Sequence, residues 1–135
     1  MEKKDKLRAL PIPISLLWDG ILLISIFRTL NSEWAAKVME TMLLKIVETR
    51  SKVIVMDISA LMIVDTAVAN QLIKITKATK LVGCECVISG MSPYVAKSIV
   101  ALGINLERIV TSSSIKEALE YAFTVWELDI ISTNK

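Results

Sequence analysis

The chain contains no histidine, and this absence excludes several classes of enzyme. Serine and cysteine hydrolases use an imidazole as the general base that activates their nucleophile, and many metal sites use it as a ligand. Glycine is scarce as well, with 4 residues, and none of them lies in the G-x-G-x-x-G or G-x-x-x-x-G-K spacing that holds phosphates. We therefore expect no catalytic residues, no metal and no cofactor.

The sequence has neither a marked excess of basic residues nor a long apolar run near its start. The 16 Lys and Arg residues nearly balance the 14 Asp and Glu residues, whereas nucleic-acid-binding domains carry a clear basic excess. Near the amino terminus, the longest fully apolar run is residues 21–24, far short of the roughly 20 residues of a membrane-spanning helix. Pro11 and Pro13 interrupt the stretch that would follow a signal-peptide start. These features predict a cytoplasmic protein that binds neither nucleic acid nor a membrane.

The two cysteines, Cys84 and Cys86, are separated by one residue. On a strand this spacing places both side chains on one face, where a disulfide between them is awkward to close. The C-x-x-C spacing of thiol oxidoreductases is absent. We therefore predict two buried, reduced thiols, which is the usual state in the cytosol.

The chain does have enough apolar content for one core, because 53% of its 135 residues are hydrophobic. We expect a charged arm at residues 1–10, a single domain at residues 11–126 and a carboxy-terminal tail at residues 127–135. Near the start of the domain, Asp19 and Gly20 separate two apolar runs, and an Asp-Gly pair in that position is a strong signal for a β-hairpin.

After the hairpin, helical and strand patterns alternate along the chain. Apolar residues at helical spacing predict helices that bury the sets Trp34, Val38, Met42, Ile46; Val68, Leu72, Ile75, Thr79; Val95, Ile99, Leu102; and Ala118, Leu119, Ala122, Val125. Apolar runs at residues 53–58, 84–89 and 109–110 predict strands between them. Alternation of this kind produces βαβ units. The predicted fold class is therefore α/β, with a mostly parallel central sheet, an N-terminal hairpin and about four helices.

Helix-start signals support this arrangement. Ser92 precedes Pro93, which places a capping residue before a proline at the first helical position. Ser114 and Glu117 have the spacing of a capping box. Asp65, which follows the strand at residues 53–58, is in position to cap the next helix.

Several stretches of the chain resemble the sulfate transporter and anti-sigma-factor antagonist (STAS) domain, and most of all the bacterial stressosome proteins RsbR and RsbS. The resemblance runs from about residue 11 to about residue 123. Its specific pieces are Ile14-Ser15-Leu16-Leu17-Trp18-Asp19-Gly20, Lys45-Ile46-Val47-Glu48, Asp57-Ile58-Ser59, Val64-Asp65-Thr66-Ala67-Val68-Ala69, Lys80-Leu81-Val82-Gly83 and the segment from Ser89 to Ile104.

The resemblance implies phosphorylation-regulated protein binding rather than catalysis. In this family a partner serine/threonine kinase phosphorylates the Ser or Thr after the loop aspartate, which here is Thr66. RsbR-type proteins carry a second phosphorylated residue on the following helix, and Ser98 matches it. The resemblance further implies a partner-binding surface with Asp57, Ser59, Asp65 and Thr66. The implied partners are an RsbT-like kinase and RsbS/RsbR-like STAS proteins, in a homodimer or larger assembly.

The position of Thr66 suits such a switch. A phosphate at a helix N-terminus meets free backbone N–H groups and the positive end of the helix dipole, so it need not unfold the domain. It adds roughly −1.5 to −2 charges, beside the negative Asp65, to a surface otherwise shaped for a partner. Phosphorylation would thus release a kinase by repulsion and desolvation cost.

Three functions fit these observations. The first is a scaffold of a stress-signalling complex, the stressosome, that binds a switch kinase and regulates sigma-factor activation. The second is a stand-alone anti-sigma-factor antagonist that uses Thr66 in the same way on an anti-sigma kinase; assembly with other STAS proteins distinguishes the first from the second. The third is a small ligand-binding α/β domain, which a thermal shift with nucleotides or small acids would reveal.

The chain combines features of both stressosome types. RsbR proteins carry a large N-terminal sensory domain, whereas only about ten residues precede the fold here. RsbS proteins are short, but their phosphorylated residue is typically serine rather than a threonine such as Thr66. A piece of an RsbR-type protein and a stand-alone paralogue both fit, and Met1 favours the second.

Overall fold

Strands and helices alternate along the part of the chain described by the computed structural model, which comprises residues 12–26, 32–61, 65–104 and 109–133. The strands are β1 (Ile14–Trp18), β2 (Ile21–Ser25), β3 (Val53–Asp57), β4 (Glu85–Ser89) and β5 (Val110–Ser112). The helices are α1 (Ser32–Thr49), α2 (Thr66–Leu81), α3 (Pro93–Ala101) and α4 (Ile115–Thr133). The predicted arm at residues 1–10 lies outside the described residues.

The strands form one sheet whose spatial order, β1-β2-β3-β4-β5, is also their order along the chain. β1 and β2 are antiparallel and form the predicted hairpin, whereas the pairs from β2 to β5 are parallel. Gly20 closes the hairpin with a φ of +82°, a left-handed conformation that glycine adopts without steric cost. The predicted α/β class, with its mostly parallel sheet and N-terminal hairpin, is confirmed.

Helices cover both faces of the sheet, but unequally. α1, α2 and α3 pack on one face, against alternate residues of the strands such as Leu22, Ile54 and Ile88. Among the described residues, α4 is the one helix that packs on the other face, against Ile21, Val53, Val55 and Val87. Because both faces are covered, the central strands are almost continuously buried. We call these the three-helix face and the α4 face.

The helical periodicity predicted most of the core, but Trp34, Leu119 and Val125 are only partly buried and Leu102 is exposed. Val38, Met42, Val68, Leu72 and Ile75 are all buried, as their spacing predicts. Burying an aliphatic side chain of this size contributes about 1.5–3 kcal/mol. Such residues therefore hold each helix to the sheet.

Leu102, expected on the buried face of α3, is instead 40% exposed. α3 ends at Ala101, and Leu102 is its C-cap. The helical spacing of apolar residues therefore extends one residue beyond the end of α3.

α4 departs from the sequence-based expectation at both ends. Residues 127–133, expected as part of a tail, continue this helix to Thr133. At its start, Ser114 Oγ accepts from the backbone N–H of Glu117 at 3.2 Å, as in a capping box. The Glu117 carboxylate, however, accepts from the N–H and the hydroxyl of Ser113, at 3.2 and 2.7 Å, and not from the capping residue itself.

The two cysteines lie on the three-helix face as free, buried thiols, as predicted. Burial raises the pKa of both thiols from 9.0 to about 12. They are therefore inert at neutral pH, because the thiolate is the reactive form. Within the described ranges, no helix is long and apolar enough to cross a membrane, and no three His, Cys, Asp or Glu side chains cluster as metal ligands would.

Candidate functional site

A row of polar residues crosses the sheet at the carboxyl ends of its parallel strands. Ser25 of β2 is in register with Asp57 of β3, Asp57 with Ser89 of β4, and Ser89 with Ser112 of β5. In β2, β3 and β4 the row before it is apolar and consists of Ile24, Met56 and Ile88, so the residue type changes at the last position of these strands. The loops that lead to α2 and α3 leave from this edge, which is where open α/β sheets usually place their binding sites.

Asp57 uses its carboxylate to shape the loop that follows β3. Its Oδ1 accepts from the backbone N–H of Ser59 at 3.0 Å, and its Oδ2 accepts from the Ser59 hydroxyl at 3.1 Å. This is an Asx turn, in which a side chain replaces a backbone carbonyl as the acceptor. Of the predicted partner-binding residues, Asp57 and Ser59 are thus bound to each other. Ser59 is exposed, whereas Asp57 is half-buried.

Gly90 gives this turn the space it needs. A Cβ atom on Gly90 would lie 2.7 Å from Oδ1 of Asp57 and 2.9 Å from Cβ of Ser59. The preceding residue, Ser89, is held next to the end of β3 by a hydrogen bond: its carbonyl accepts from the N–H of Ile58 at 2.9 Å. The end of β4 therefore packs directly on the turn that leads towards Thr66.

Ser89 has a feature that the sequence did not reveal. Its side chain is fully buried, and its hydroxyl has no hydrogen-bond partner among the described residues. A buried hydroxyl without a partner costs about 1–3 kcal/mol. On sequence alone, Ser89 ends an apolar strand; only the strand register places it between Asp57 and Ser112.

Asp65 and Thr66 lie at the amino-terminal end of α2, and both are exposed. Asp65 is the N-cap, and its Oδ1 accepts from the backbone N–H of Val68 at 2.8 Å. This contact confirms the capping role predicted for Asp65. Thr66 is the first residue of the helix, where backbone N–H groups have no partner within the helix. Residues 62–64, which belong to the loop before it, lie outside the described residues.

Ser98 lies on α3 and is half-buried. Its hydroxyl donates to the backbone carbonyl of Tyr94 at 3.0 Å, one turn earlier. As predicted, Ser92 caps this helix, accepting from the N–H of Val95 at 3.1 Å, and Pro93 occupies the first position. The two helices that carry the predicted phosphorylation sites, α2 and α3, both pack on the three-helix face.

The charged side chains of α2 and of α4 differ in predominant sign. α2 contains Lys74, Lys77 and Lys80, all exposed, and no acidic residue. α4 carries Glu117, Glu120 and Glu127 on the opposite face. Thr66 therefore stands at one end of a helix whose exposed side is basic, a surface suited to an acidic partner.

The structure is thus an α/β domain in which a capped helix follows β3 and begins with an exposed threonine. The family model described as STAS domain matches residues 18–118, and the chain belongs to this family. The resemblance predicted from the sequence is thereby confirmed.

Among curated proteins, the RsbT co-antagonist protein RsbRA of Bacillus subtilis is 32% identical over 130 residues. The match covers 96% of this chain and 47% of that protein, so the chain spans about half the length of this relative. A second Bacillus subtilis relative, the RsbT co-antagonist protein RsbRD, is 32% identical over 117 residues, which cover 87% of this chain and 42% of that protein.

A solved structure of RsbS from Moorella thermoacetica superimposes with a TM-score of 0.71 at 29% identity and covers 86% of this chain and 97% of its own. The chain is therefore similar to RsbR proteins in sequence and to RsbS in structure.

Proposed function

We propose that this protein is a phosphorylation-regulated scaffold of a bacterial stress-signalling complex, with Thr66 as its switch. The scaffold binds an RsbT-like serine/threonine kinase in the cytoplasm and assembles with RsbR- or RsbS-like STAS proteins. The observation that supports it most is the exposure of Thr66 at the start of a capped helix. Relatives of the chain are named as RsbT co-antagonists, which suggests the kinase.

The geometry around Thr66 explains how a phosphate would act there. The residue belongs to a helix that Asp65 already caps through Val68, so a phosphoryl group would project from an ordered, exposed position. The added charge lies beside the carboxylate of Asp65, which concentrates negative charge at that end of α2. A kinase that docks on the basic side of α2 would carry acidic groups, and the phosphate would repel them.

Asp57 and Ser59 have an indirect part in this proposal. Their mutual hydrogen bonds fix the turn at residues 57–59, after which the chain continues towards Asp65. We assign Asp57 to positioning and leave direct partner contact to Ser59, Asp65 and Thr66, which are exposed. Loss of the Asp57 carboxylate would weaken kinase binding through the loop conformation.

Ser98 is the second proposed phosphorylation site. Its hydroxyl is engaged with the Tyr94 carbonyl, and that hydrogen bond must break before a kinase can use the oxygen. Thr66 has no such constraint among the hydrogen bonds of the described residues. We therefore propose that Thr66 is modified first and Ser98 more slowly.

The test is intact mass after incubation with an RsbT-like kinase and ATP. Wild type and Thr124→Ala should each gain phosphate, and Thr66→Ala should lack the first and fastest addition. Thr124 is the matched control because it is also an exposed threonine on a helix. Unmodified wild type, or equal modification of Thr66→Ala, would overturn the proposal.

A stand-alone anti-sigma-factor antagonist would use Thr66 in the same way, so the mass experiment cannot separate the two. Co-purification with RsbR- and RsbS-like STAS proteins separates them. A scaffold forms a stable complex with those proteins, whereas a simple antagonist binds only its kinase.

A further inference from the structure

Tyr94 is a large aromatic residue whose side chain the fold leaves in solvent. It is the second residue of α3 and is 66% exposed. With the other described residues its ring forms no aromatic pair and its hydroxyl no hydrogen bond, whereas the exposed ring of Trp18 packs edge to face on that of Phe123. The side chain of Tyr94 is therefore free to contact a partner.

Tyr94 lies at the same end of the sheet as Thr66. α2 follows β3 and α3 follows β4, and these two strands are parallel neighbours, so both helices begin beyond the carboxyl edge of the sheet. Helices that lie side by side have axes about 10 Å apart. An interface of ordinary size covers about 800 Å² on each partner. A protein that covers Thr66 with such an interface therefore also reaches Tyr94.

The other exposed large apolar residues of α2 and α3 lie at the opposite end of these helices. Among the described residues they are Leu81, Val82, Val100 and Leu102. Each of these belongs to the last turn of its helix or to the C-cap that follows. Within the described parts of α2 and α3, Tyr94 is thus the exposed large apolar residue near Thr66.

Tyr94 is also a neighbour of Ser98 on the surface of α3. The Ser98 hydroxyl donates to the Tyr94 carbonyl at 3.0 Å, and side chains four residues apart lie next to each other on a helix. A kinase that modifies Ser98 therefore contacts Tyr94 as well. Tyr94 thus belongs to the surface that a kinase covers at either of the two proposed phosphorylation sites.

The charged residues of these two helices indicate the chemistry of the partner. α3 contains the exposed Lys97 and no acidic residue, and α2 contains three exposed lysines and no acidic residue. Asp65, the N-cap of α2, is the acidic group nearest to Thr66 in sequence. A complementary partner therefore offers an apolar pocket for the Tyr94 ring, bordered by acidic side chains that face the lysines.

We propose that Tyr94 is the anchor residue of the kinase-binding surface, with its ring inserted into an apolar pocket of the kinase that acidic groups border. Tyrosine is enriched among the residues that dominate binding energy, because it buries a large apolar area at a low cost in side-chain entropy. This inference rests on the proposed function and deepens it by naming the residue that supplies binding energy. A second STAS protein is the alternative occupant of this surface.

The first test is calorimetric titration of an RsbT-like kinase into wild type, Tyr94→Ala and the matched control Tyr121→Ala. ATP is omitted so that Thr66 stays unmodified. Tyr94→Ala should raise the dissociation constant at least about tenfold, as loss of an anchor residue does. Tyr121 is also partly exposed, at 36%, but it lies on α4, on the other side of the sheet. Its replacement should leave the dissociation constant unchanged.

Two further variants and measurements separate the ring from the fold. Tyr94→Phe keeps the ring and should keep most of the affinity. Tyr94→Ala should unfold at the same temperature as wild type, because the ring has no partner among the described residues and alanine is the best helix former. A weakened affinity then reports a lost contact with the kinase.

The second test uses the wild-type protein and reads contact directly. The chain has 2 tyrosines, Tyr94 and Tyr121, so nitration by tetranitromethane can be assigned to each by peptide mass. Saturating kinase should slow the nitration of Tyr94 at least about tenfold, because a buried anchor is shielded from the reagent. The nitration rate of Tyr121 should not change.

Several results would overturn the assignment of Tyr94. They are kinase binding by Tyr94→Ala at wild-type affinity, an affinity of Tyr94→Phe as low as that of Tyr94→Ala, and nitration of Tyr94 that the kinase does not slow. Loss of co-purifying STAS proteins from Tyr94→Ala, with kinase affinity intact, would assign the surface to a STAS partner instead. These results leave the proposed function standing, whereas a wild type that binds no kinase would overturn both.

Discussion

The carboxylate of Asp57 passes so close to Gly90 that a Cβ atom there would lie 2.7 Å from Oδ1. The contact joins the ends of two neighbouring strands, since β3 ends at Asp57 and β4 at Ser89. It fixes the turn from which the chain proceeds towards Asp65 and Thr66. Position 90 therefore requires glycine for two reasons: its φ is positive, and a Cβ atom there would clash with Asp57 at the end of β3.

We expect Gly90→Ala to lower the free energy of unfolding by about 3 kcal/mol, from strain at positive φ together with overpacking. Gly83→Ala is the matched control, because Gly83 has a similar φ of +84° but no atom within 4 Å of the added Cβ. It should cost about 1–2 kcal/mol, from backbone strain alone. Urea unfolding of both variants measures the difference, and equal losses would contradict a role for the Asp57 contact.

Asp65 should contribute to stability independently of any partner. Removing its capping oxygen in Asp65→Ala should cost about 1 kcal/mol, because the Val68 N–H loses its acceptor. Asp65→Asn keeps an oxygen acceptor and should retain most of that stability. Urea unfolding of the unphosphorylated protein tests this, and an Asp65→Ala variant as stable as wild type would show that the cap is dispensable.

The buried thiols predict a loss of stability at alkaline pH. Burial raises the pKa of Cys84 and Cys86 to about 12 from 9.0. Above pH 9 the unfolded chain releases these protons and the folded chain keeps them, so stability should fall between pH 9 and pH 12. Lysines also titrate in this range, and the comparison is therefore made with the Cys84→Ala/Cys86→Ala variant.

In urea unfolding at pH 8 and pH 10, wild type should lose more stability over this interval than the double variant does. Equal losses would mean that the thiols ionise as readily in the folded protein as in the unfolded chain. A thiol reagent gives a second readout at pH 8, where both cysteines should react far more slowly in folded than in unfolded protein.

Glu117 predicts a weaker effect at acidic pH. Hydrogen bonds from the hydroxyl and the N–H of Ser113 lower the pKa of its carboxyl group below 4.5. A carboxyl group whose pKa is lower in the folded than in the unfolded protein stabilises the fold at every pH above its unfolded-state pKa. This contribution is lost as the pH falls through the folded-state pKa. Glu117→Gln should therefore have a lower melting temperature than wild type at pH 7. The difference in melting temperature should vanish at low pH.

Much of the fold could be predicted because its signals are local. The period of apolar residues in α1 and α2 identified Met42 and Leu72 as core, and Asp19 with Gly20 identified the hairpin turn. The N-cap at Asp65 followed from its place before an apolar helical pattern. Each of these depends on neighbours within a few residues, so the sequence alone contains the information.

Other features depend on how distant segments meet. The contact of Gly90 with Asp57 and the place of Ser89 in the polar row follow from the register between β3 and β4. The register of β1 with β2 shifts between Leu16 and Trp18, and the pattern of apolar residues in β1 does not predict this shift. The resemblance to the STAS domain implied Asp57, Ser59, Asp65 and Thr66 as site residues, and the structure adds that Asp57 and Ser59 hydrogen-bond to each other.

The agreement between strand order and chain order bears on how the protein is synthesised. No strand has to be inserted between two others, so a nascent chain can add each helix–strand unit to the edge of the sheet already formed. Contacts between consecutive units also keep loop-closure costs low, which favours rapid folding. Growth proceeds from β2 towards β5, so each parallel pair of strands can form as soon as its second strand has been synthesised.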